Sequence, residues 1–429
     1  MSAILNESEQ IRARFKTQTP LWTGNLDRES PIVKESGFIG SIRWWTEAIL
    51  SAQEDICDPT SNNSCPEISN NNLTKYCLSC LIFGATGQRR SFKLQIKGGC
   101  TLFNNVIRMK PEGRNGGWFY PGSGMVGKIE TRIVPFDSNF SEPLIIFPLL
   151  IACKWGAIGA KNQLGYGVLA NESHQDLHIK DFCNAIKKIK EKKTIRSFPT
   201  HNHKGPNIMD FFFSKIHFRS KSINWWKEVD GIGHEQKYIE YLKKWEEAGI
   251  VPIYPSIKNW LRFGGGRRIW MMTDRYNNRR IENFLFGTIK STCSHCYTIV
   301  KKDRRDNRKK WCPNCRSSLF SKDCFQRIAS KINISHAYKV DENEWEFRVW
   351  GWIPNSNSPL RNRDDFLNKL KGCLDGTSLN PRIVRDDILG SGIEDPRLIV
   401  WREFNSSRDT KDPNQGDYNT YIDSLIDGE

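Results

Sequence analysis

The sequence lacks the features of membrane, secreted and P-loop proteins. No window comes near the roughly 20 uninterrupted apolar residues that a membrane helix needs. The N-terminal segment has neither the apolar core nor the cleavage pattern of a secretory signal. No GxxxxGKS or GxxxxGKT motif is present, which argues against a P-loop nucleotide site. We therefore expect a cytoplasmic protein that has no membrane partner.

Acidic residues are scarce relative to basic ones. The chain has 64 Lys and Arg residues against 48 Asp and Glu residues, which gives a formal charge of +16 and a pI near 9.2. Much of the excess lies in three runs, at residues 187–196, 262–280 and 301–310. A single basic run is as often a solvated surface as a binding site. Three runs with a large net charge predict nucleic acid as a partner, without choosing RNA over DNA.

Thirteen cysteines in a chain without an export signal are not expected to form a disulfide framework. Cys293 and Cys296 form one CxxC pair, and Cys312 and Cys315 form another pair fifteen residues later. Two such pairs offer four thiolates to one tetrahedral zinc ion. Because four thiolates leave no open coordination position, we expect this zinc to be structural.

A second set of cysteines, Cys57, Cys65, Cys77 and Cys80, has less diagnostic spacing. Zinc is the favoured interpretation, and isolated reduced cysteines are the alternative.

Two similar halves are indicated by short echoes along the chain. LIFGA at residues 81–85 and FLFGT at residues 284–288 each lie beside a CxxC pair, and a Trp pair occurs once in each half. We predict a first domain at 1–200 with a cysteine-cluster insertion at 57–80, and a second domain at 205–400 with a zinc-ribbon insertion at 290–318. Residues 403–429 form an acidic tail that we expect to be disordered. Strands mixed with single helices predict α+β units of the split βαβ type.

Four segments combine glycine with cations or aromatic residues, a mixture that lets a backbone approach phosphates while rings stack on bases. They begin at TPLWTG, FGATGQRR, GAIGAKNQLGYG and RFGGGRR. The candidate RNA contacts in them are Trp22, Arg89, Arg90, Asn162, Arg262, Arg267 and Arg268. The glycines could instead only form turns, Trp45 is expected in the core, and Arg43 could simply pair with Glu47 one helical turn later.

TPLWTG, GFIGSIRWWTEAIL, CLSCLIFGATGQRR and GAIGAKNQLGYG occur in an order and spacing that resemble the RAMP superfamily of CRISPR proteins. Within it, the chain is most similar to the family of first subunits of the Cmr (type III-B) effector complex. The resemblance covers most of residues 15–355, and the ribbon at 293–315 and the acidic tail depart from it.

This resemblance implies two tandem ferredoxin-like, RRM-like domains. It also implies a non-catalytic place in a guide-RNA ribonucleoprotein, near the 3′ part of the guide and the target RNA, beside other RAMP and Cmr subunits. Carried over by position, it makes Arg43, Trp44, Lys161, Gly165 and Tyr166 the expected RNA contacts.

Two other functions stay open at the level of sequence. Some RAMP proteins process guide precursors as metal-independent endoribonucleases with His, Tyr or Lys as acid and base. The available histidines for such a role are His201, His203, His217 and His234. A zinc-ribbon protein that binds DNA or acts as a scaffold is the third possibility, and it would bind duplex DNA as well as single-stranded RNA.

Overall fold

A computed structural model gives the arrangement of the chain. It describes residues 11–24, 30–54, 56–58, 64–68, 74–110, 117–120, 123–137, 140–173, 177–196, 205–232, 236–266, 278–293, 296–302, 310–315, 318–319, 325–355, 358–375 and 384–427. Within these residues, no helix is long and apolar enough to span a membrane. Helices combine with antiparallel sheets, which confirms the predicted α+β class.

Nine helices and 21 strands lie in the described residues. The helices are α1 (Glu35–Leu50), α2 (Leu78–Phe83), α3 (Pro143–Trp155), α4 (Ile179–Lys192), α5 (Ile239–Glu247), α6 (Tyr254–Phe263), α7 (Asn278–Phe286), α8 (Arg363–Asp375) and α9 (Tyr418–Ile426). The strands are β1 (Ile11–Thr17), β2 (Glu67–Ile68), β3 (Thr74–Lys75), β4 (Phe92–Lys97), β5 (Thr101–Asn104), β6 (Ile107–Met109), β7 (Trp118–Tyr120), β8 (Ser123–Val126), β9 (Lys128–Pro135), β10 (Leu169–Asn171), β11 (Phe211–Ser220), β12 (Ile250–Val251), β13 (Thr288–Cys293), β14 (Lys301–Lys302), β15 (Lys310–Trp311), β16 (Ser318–Leu319), β17 (Phe325–Ile328), β18 (Ile332–Ile334), β19 (Ala337–Lys339), β20 (Glu344–Trp352) and β21 (Ile393–Glu403).

The first sheet has the order β10-β1-β9-β4, and all its neighbouring strands are antiparallel. Side chains alternate along β1, so Ala13 and Phe15 are buried while Arg12, Arg14 and Lys16 are exposed. The buried side chains join a core to which α1 and α3 also contribute. One face of this sheet therefore packs on helices, and the other face points away from them.

The second sheet has the order β12-β19-β20-β11-β21, with β18 also paired to β20. Every residue of β11 from Phe211 to Ile216 is buried, which means that both faces of this strand are covered. Phe212 and Ile216 join a second core together with residues of α6 and α8. Phe213 and Phe211 join the first core instead, because they point to the opposite face.

The two halves of the chain pack on each other through aromatic side chains. The rings of Trp45 and Phe213 stack with centroids 6.3 Å apart, and Trp155 lies 5.8 Å from Phe213. The β5–β8 hairpin also reaches the second core, where Phe103 meets the edge of Trp245 at 4.8 Å. The predicted domain limits at 200 and 205 remain predictions, because residues 197–204 lie outside the described part of the chain.

The expectation of a disordered acidic tail is corrected for residues 403–427. Helix α9 lies in this segment, and its Tyr421, Ile422 and Leu425 are fully buried in the first core. Trp155 Nε1 donates to the Leu425 carbonyl at 2.7 Å. The helix packs on α3 and α4, so its apolar side chains outweigh the polar composition of the segment.

Candidate metal centres and candidate RNA interface

The first cysteine cluster consists of Cys57, Cys65, Cys77 and Cys80, all of them buried. Their Sγ atoms lie within 4.8 Å of one another. Cys57 Sγ is 3.6 Å from both Cys77 Sγ and Cys80 Sγ. Cys77 precedes the first residue of α2 and Cys80 lies in its first turn, so one short helix presents two of the four thiols.

The thiols of the first cluster differ in the direction in which their pKa values are shifted. Bonding with Cys57 holds the pKa of Cys65 well below its ordinary value, and bonding with Cys57 raises the pKa of Cys80 well above it. A buried set of thiols in such close contact releases its protons when a cation binds.

The second cysteine cluster consists of Cys293, Cys296, Cys312 and Cys315, of which only Cys315 is exposed. Cys296 Sγ lies 3.4 Å from Cys312 Sγ. Burial raises the pKa of Cys296, but bonding with Thr298 and the neighbouring thiols outweighs burial and brings the pKa to about 6. A thiol with a low pKa is mostly thiolate at neutral pH, the form that binds metal.

Both predicted groups of cysteines are confirmed as four-thiol groups that could hold a metal ion. Four sulfur ligands on close-set backbone knuckles match the tetrahedral sites that zinc prefers. The first cluster, whose spacing left isolated cysteines as an alternative, is the more deeply buried of the two.

The glycine loop at residues 156–167 is folded tightly against the TPLWTG segment. Ala160 N donates to the Trp22 carbonyl at 2.7 Å. A Cβ at Gly156 would lie 2.2 Å from the Trp45 ring, so only glycine allows this approach. The structure therefore brings together two of the segments that the sequence nominated separately.

Lys161 and Trp22 are half-buried side chains that meet at this junction. Lys161 Nζ lies 3.8 Å from the centre of the Trp22 ring, close enough for a cation–π contact. Burial lowers the pKa of Lys161. The side-chain oxygen of neighbouring Asn162 and the Trp22 Nε1 are both buried without a hydrogen-bond partner in the described structure. Buried polar groups without a protein partner usually bind an ordered water or a ligand.

Tyr166 has a different place from the one that was expected. Its side chain is fully buried in the second core, 5.6 Å from the ring of His336, and burial raises its pKa well above the ordinary value. Gly165 is also buried, and a Cβ there would lie 2.8 Å from the His336 ring. The predicted RNA contact of the Tyr166 side chain is corrected to packing between the two halves.

Arg43 points towards the first cysteine cluster. Its Nε donates to Glu47 at 2.8 Å, its Nη1 to the Gly84 carbonyl at 3.1 Å, and its Nη2 to Cys80 Sγ at 3.3 Å. The structural pair with Glu47, left open by the sequence, is thus confirmed. Burial lowers the pKa of Arg43, but Glu47 outweighs burial and raises it above its ordinary value.

The other predicted contacts are dispersed. Trp44 packs edge-on against Phe211 at 5.8 Å, at the junction of the halves. Arg89 is exposed with its guanidinium 3.8 Å from the Phe136 ring centre, and Arg90 is half-buried. Arg262 Nη2 donates to Asn283 Oδ1 at 3.5 Å. Arg267 and Arg268 lie outside the described residues.

A buried ionic network lies between the halves, and sequence reasoning did not find it. Glu346 accepts from Arg348 Nε at 3.1 Å and from the Tyr338 hydroxyl, and His217 Nε2 lies 2.7 Å from its Oε2. Burial raises the pKa of Glu346, but the bond with His217 and the nearby cations bring it below its ordinary value. Arg348 Nη1 donates to the Cys153 carbonyl of the first half at 2.6 Å. Only the pairing of β20 with β11 and β19 brings these residues together.

The family match agrees with the sequence motifs. Residues 14–170 match the family model of the RAMP superfamily. This match confirms the resemblance of the sequence to the RAMP superfamily.

Solved structures of Cmr proteins are also similar to the chain. The crystal structure of Cmr1 from Pyrococcus furiosus in its apo form has 13% identity and a TM-score of 0.33, over 84% of this chain and 92% of that chain. A cryo-EM structure of the Type III-B Cmr-beta bound to cognate target RNA and AMPPnP, in the presence of ssDNA, contains a similar chain. It has 12% identity and a TM-score of 0.41, over 84% of this chain and 98% of that chain. A chain in another cryo-EM structure of the Type III-B Cmr-beta bound to cognate target RNA has 11% identity and a TM-score of 0.38, over 80% of this chain and 94% of that chain. Among curated proteins, no sequence matches the chain.

Proposed function

We propose that the chain is a non-catalytic, RNA-binding subunit of a cytoplasmic type III-B (Cmr) CRISPR ribonucleoprotein. In this role it contacts guide RNA, target RNA or both near the 3′ part of the guide, beside other RAMP and Cmr subunits. The RAMP match over residues 14–170 and the net charge of +16 support this function.

The observation that carries the proposal is the junction of the glycine loop with the TPLWTG segment. There Lys161 lies over Trp22, and Asn162 carries a buried oxygen without a partner in the described structure. A cation beside an aromatic ring can contact the phosphate and base of a single strand. Arg89, Arg90 and Arg262 are secondary candidates for phosphate contacts.

The same proposal includes the fold of each half as a ferredoxin-like domain. In each half, the sheet places the first strand in the middle and the last strand beside it, as β1 with β10 and β11 with β21. This arrangement supports two ferredoxin-like domains in tandem, at 1–200 and 205–400, with the second cysteine cluster in an insertion at 290–318.

Purification from the native host tests the proposal directly. We expect the tagged protein to bring down guide RNAs with uniform repeat-derived 5′ ends together with other RAMP subunits. Recovery of the protein alone, or with unrelated RNAs, would remove the CRISPR function.

The contact at Lys161 is tested with Lys161→Asn, because the φ of 62° at this residue is tolerated by Asn. Binding of guide RNA should weaken severalfold. The salt slope, which is the slope of the logarithm of the binding constant against the logarithm of the salt concentration, should fall in magnitude by about 1. Lys227→Asn is the matched control, since Lys227 also lies over a Trp ring, at 5.9 Å from that of Trp226. Equal binding by both variants would show that Lys161 does not contact RNA.

Zinc is proposed as the metal of both clusters, with a structural role. Elemental analysis should find about two zinc ions per chain. Cys312→Ser should lose one of them and unfold its ribbon locally, while the buried first cluster keeps the other. Unchanged zinc content in Cys312→Ser would refute the assignment of the second cluster.

One observation favours the endoribonuclease alternative: His217 has an orienting carboxylate in Glu346 at 2.7 Å. A His–carboxylate pair is a common general base. Both residues, however, lie in the network between the halves, where Glu346 is only 4% exposed. His217→Ala settles the matter: loss of repeat-RNA cleavage by the purified protein would establish catalysis. His201, His203 and His234 lie outside the described residues.

A further inference from the structure

The face of the first sheet that points away from α1 and α3 is strongly basic. We call it the open face. Its cations are Arg12, Arg14 and Lys16 on β1, Lys93 and Lys97 on β4, and Lys128 and Arg132 on β9. Six of the seven are exposed, and Arg132 is half-buried.

Strand pairing sets these cations side by side. Arg12 lies directly opposite Arg132, and Lys16 lies directly opposite Lys128. Neighbouring strands are about 4.8 Å apart, and successive residues on one face are about 6.6 Å apart along a strand. Like charges directly opposite each other destabilise a sheet. The stability of the free protein therefore does not account for this arrangement, and a bound polyanion would relieve the repulsion.

Among the described residues, two carboxylates near this face pair with cations of the open face. Glu130 Oε1 accepts from Arg132 Nε at 2.8 Å, and Glu172 Oε1 lies 3.4 Å from Lys128 Nζ. Bonding with Arg132 lowers the pKa of Glu130, so this carboxylate is ionised at neutral pH. The net charge of the face is still +5.

The remaining side chains on the open face show which part of a nucleic acid it suits. Between the cations of β4 and β9 stand Gln95 and Val134, and β10 adds Ala170 beside Lys16. Within β1, β4, β9 and β10 no described residue on this face is aromatic, so bases that lie over these strands have no ring to stack on. The exposed ring of Phe136, one residue beyond β9, is covered by the Arg89 guanidinium at 3.8 Å. A flat grid of cations contacts the phosphates of a single strand and leaves base identity unread.

We propose that the open face binds single-stranded RNA through its phosphate backbone, as a sequence-independent site separate from the Lys161 junction. The proposal rests on the proposed function only in that RNA is the polyanion. Helix α4 carries exposed lysines as well, but it packs on α3, on the opposite side of the sheet. The two basic surfaces can therefore be tested against each other.

The test compares two triple variants with the same change of charge. Arg12→Gln, Arg14→Gln and Lys16→Gln together neutralise the central strand of the open face. Lys180→Gln, Lys187→Gln and Lys188→Gln together neutralise exposed lysines of α4. Binding of a short, fluorescent, uridine-rich RNA to the purified full-length chain is measured by anisotropy at several salt concentrations.

We expect the open-face triple to weaken RNA binding at least tenfold and to reduce the salt slope by about 2, since each lost phosphate contact removes about 0.7. The α4 triple should bind almost as tightly as the native protein. Equal weakening in both triples, or none in either, would overturn the proposal. Equal competition by duplex DNA or by anionic lipid vesicles would also overturn it, because the face would then be a general polyanion site.

Folding is checked by the melting temperature, and the open-face triple should melt no lower than the α4 triple, because it relieves two like-charge pairs. If the β1 triple does not fold, Lys93→Gln with Lys97→Gln on the edge strand β4 replaces it and should weaken binding severalfold. Because purified protein and a generic RNA are used, failure here leaves the guide-RNA purification test unaffected.

Discussion

In each sheet the first strand of its half lies beside the last one, but the two sheets differ in what covers the face that their own helices leave free. In the first sheet this face is solvent-exposed and carries Arg12, Arg14 and Lys16 at alternate positions. In the second sheet the equivalent face packs against the first half, through Phe213 and Lys215 on β11. One sheet therefore has a candidate binding surface where the other has an internal interface.

Charged side chains on the two faces differ in burial and in pairing. On the covered face, Lys215 is only 3% exposed, and the neighbouring Arg348 has Glu346, Tyr338 and a carbonyl as partners. On the open face, Arg12 stands opposite Arg132 and Lys16 opposite Lys128, while Arg14 stands opposite Glu130. Buried charges must be paired because desolvation costs several kcal/mol per ion, whereas exposed ones need no partner. This difference indicates that the open face is free to bind an external anion.

The largest expected effect separates the two faces by stability. Arg348→Ala should lower the free energy of unfolding by about 3–5 kcal/mol, because it leaves Glu346 buried with fewer partners and a carbonyl without its donor. Arg14→Ala on the open face should change it by less than about 0.5 kcal/mol. Urea unfolding of both variants provides the measurement. Similar values for the two would mean that the covered face is open in solution.

A smaller effect is expected at the C-terminal helix that borders the covered face. Ile422 is fully buried on α9, and Ile422→Ala should cost about 2–4 kcal/mol through lost burial and a residual cavity. The matched control is Ile223→Ala, since Ile223 is 82% exposed and should change stability little. If both variants had the same midpoint in urea, α9 would not be part of the core in solution.

The sequence predicted both cysteine clusters and the α+β class, because these depend on local spacing and periodicity. The CxxC pairs sit on single turns, so their geometry follows from a few consecutive residues. The pattern IRARFKT also contained the open face, since its period of two separates Arg12, Arg14 and Lys16 from buried neighbours. The three longer basic runs carry more charge, and charge counts alone do not show that these three cations share one face of a sheet.

Features that depend on distant residues could not be predicted in the same way. The contact of Arg43 with Cys80 and the pair of His217 with Glu346 join residues 37 and 129 positions apart. The disordered tail was predicted from average composition, which concealed the apolar face of α9 formed by Tyr421, Ile422 and Leu425. Tyr166 was mistaken for a surface residue because a glycine-rich loop does not reveal which half it packs on.

The smallest effect concerns pH and again separates the covered face from the exposed surface. Burial lowers the pKa of Lys215 to about 7, although Glu346 opposes the shift and Arg348 and Lys154 assist it. Burial also lowers the pKa of Lys154 to about 8. An unfolded lysine titrates near 10.4, so between pH 7 and 10 the unfolded chain binds more protons than the folded chain. The free energy of unfolding should therefore rise with pH above 7.

Buried thiols limit this window at its upper end. Burial raises the pKa of Cys153 and of Cys373 to about 12, while unfolded thiols ionise near 8.5, so the rise of stability with pH becomes shallower above about pH 8.5. Within pH 7–9, Lys215→Met should reduce the slope by up to about 1 kcal/mol per pH unit, because one proton fewer is released on folding. Lys227→Met, at an exposed lysine, should leave the slope unchanged. Urea unfolding at several pH values measures both slopes, and an unchanged slope in Lys215→Met would show that Lys215 stays protonated and hydrated at the junction.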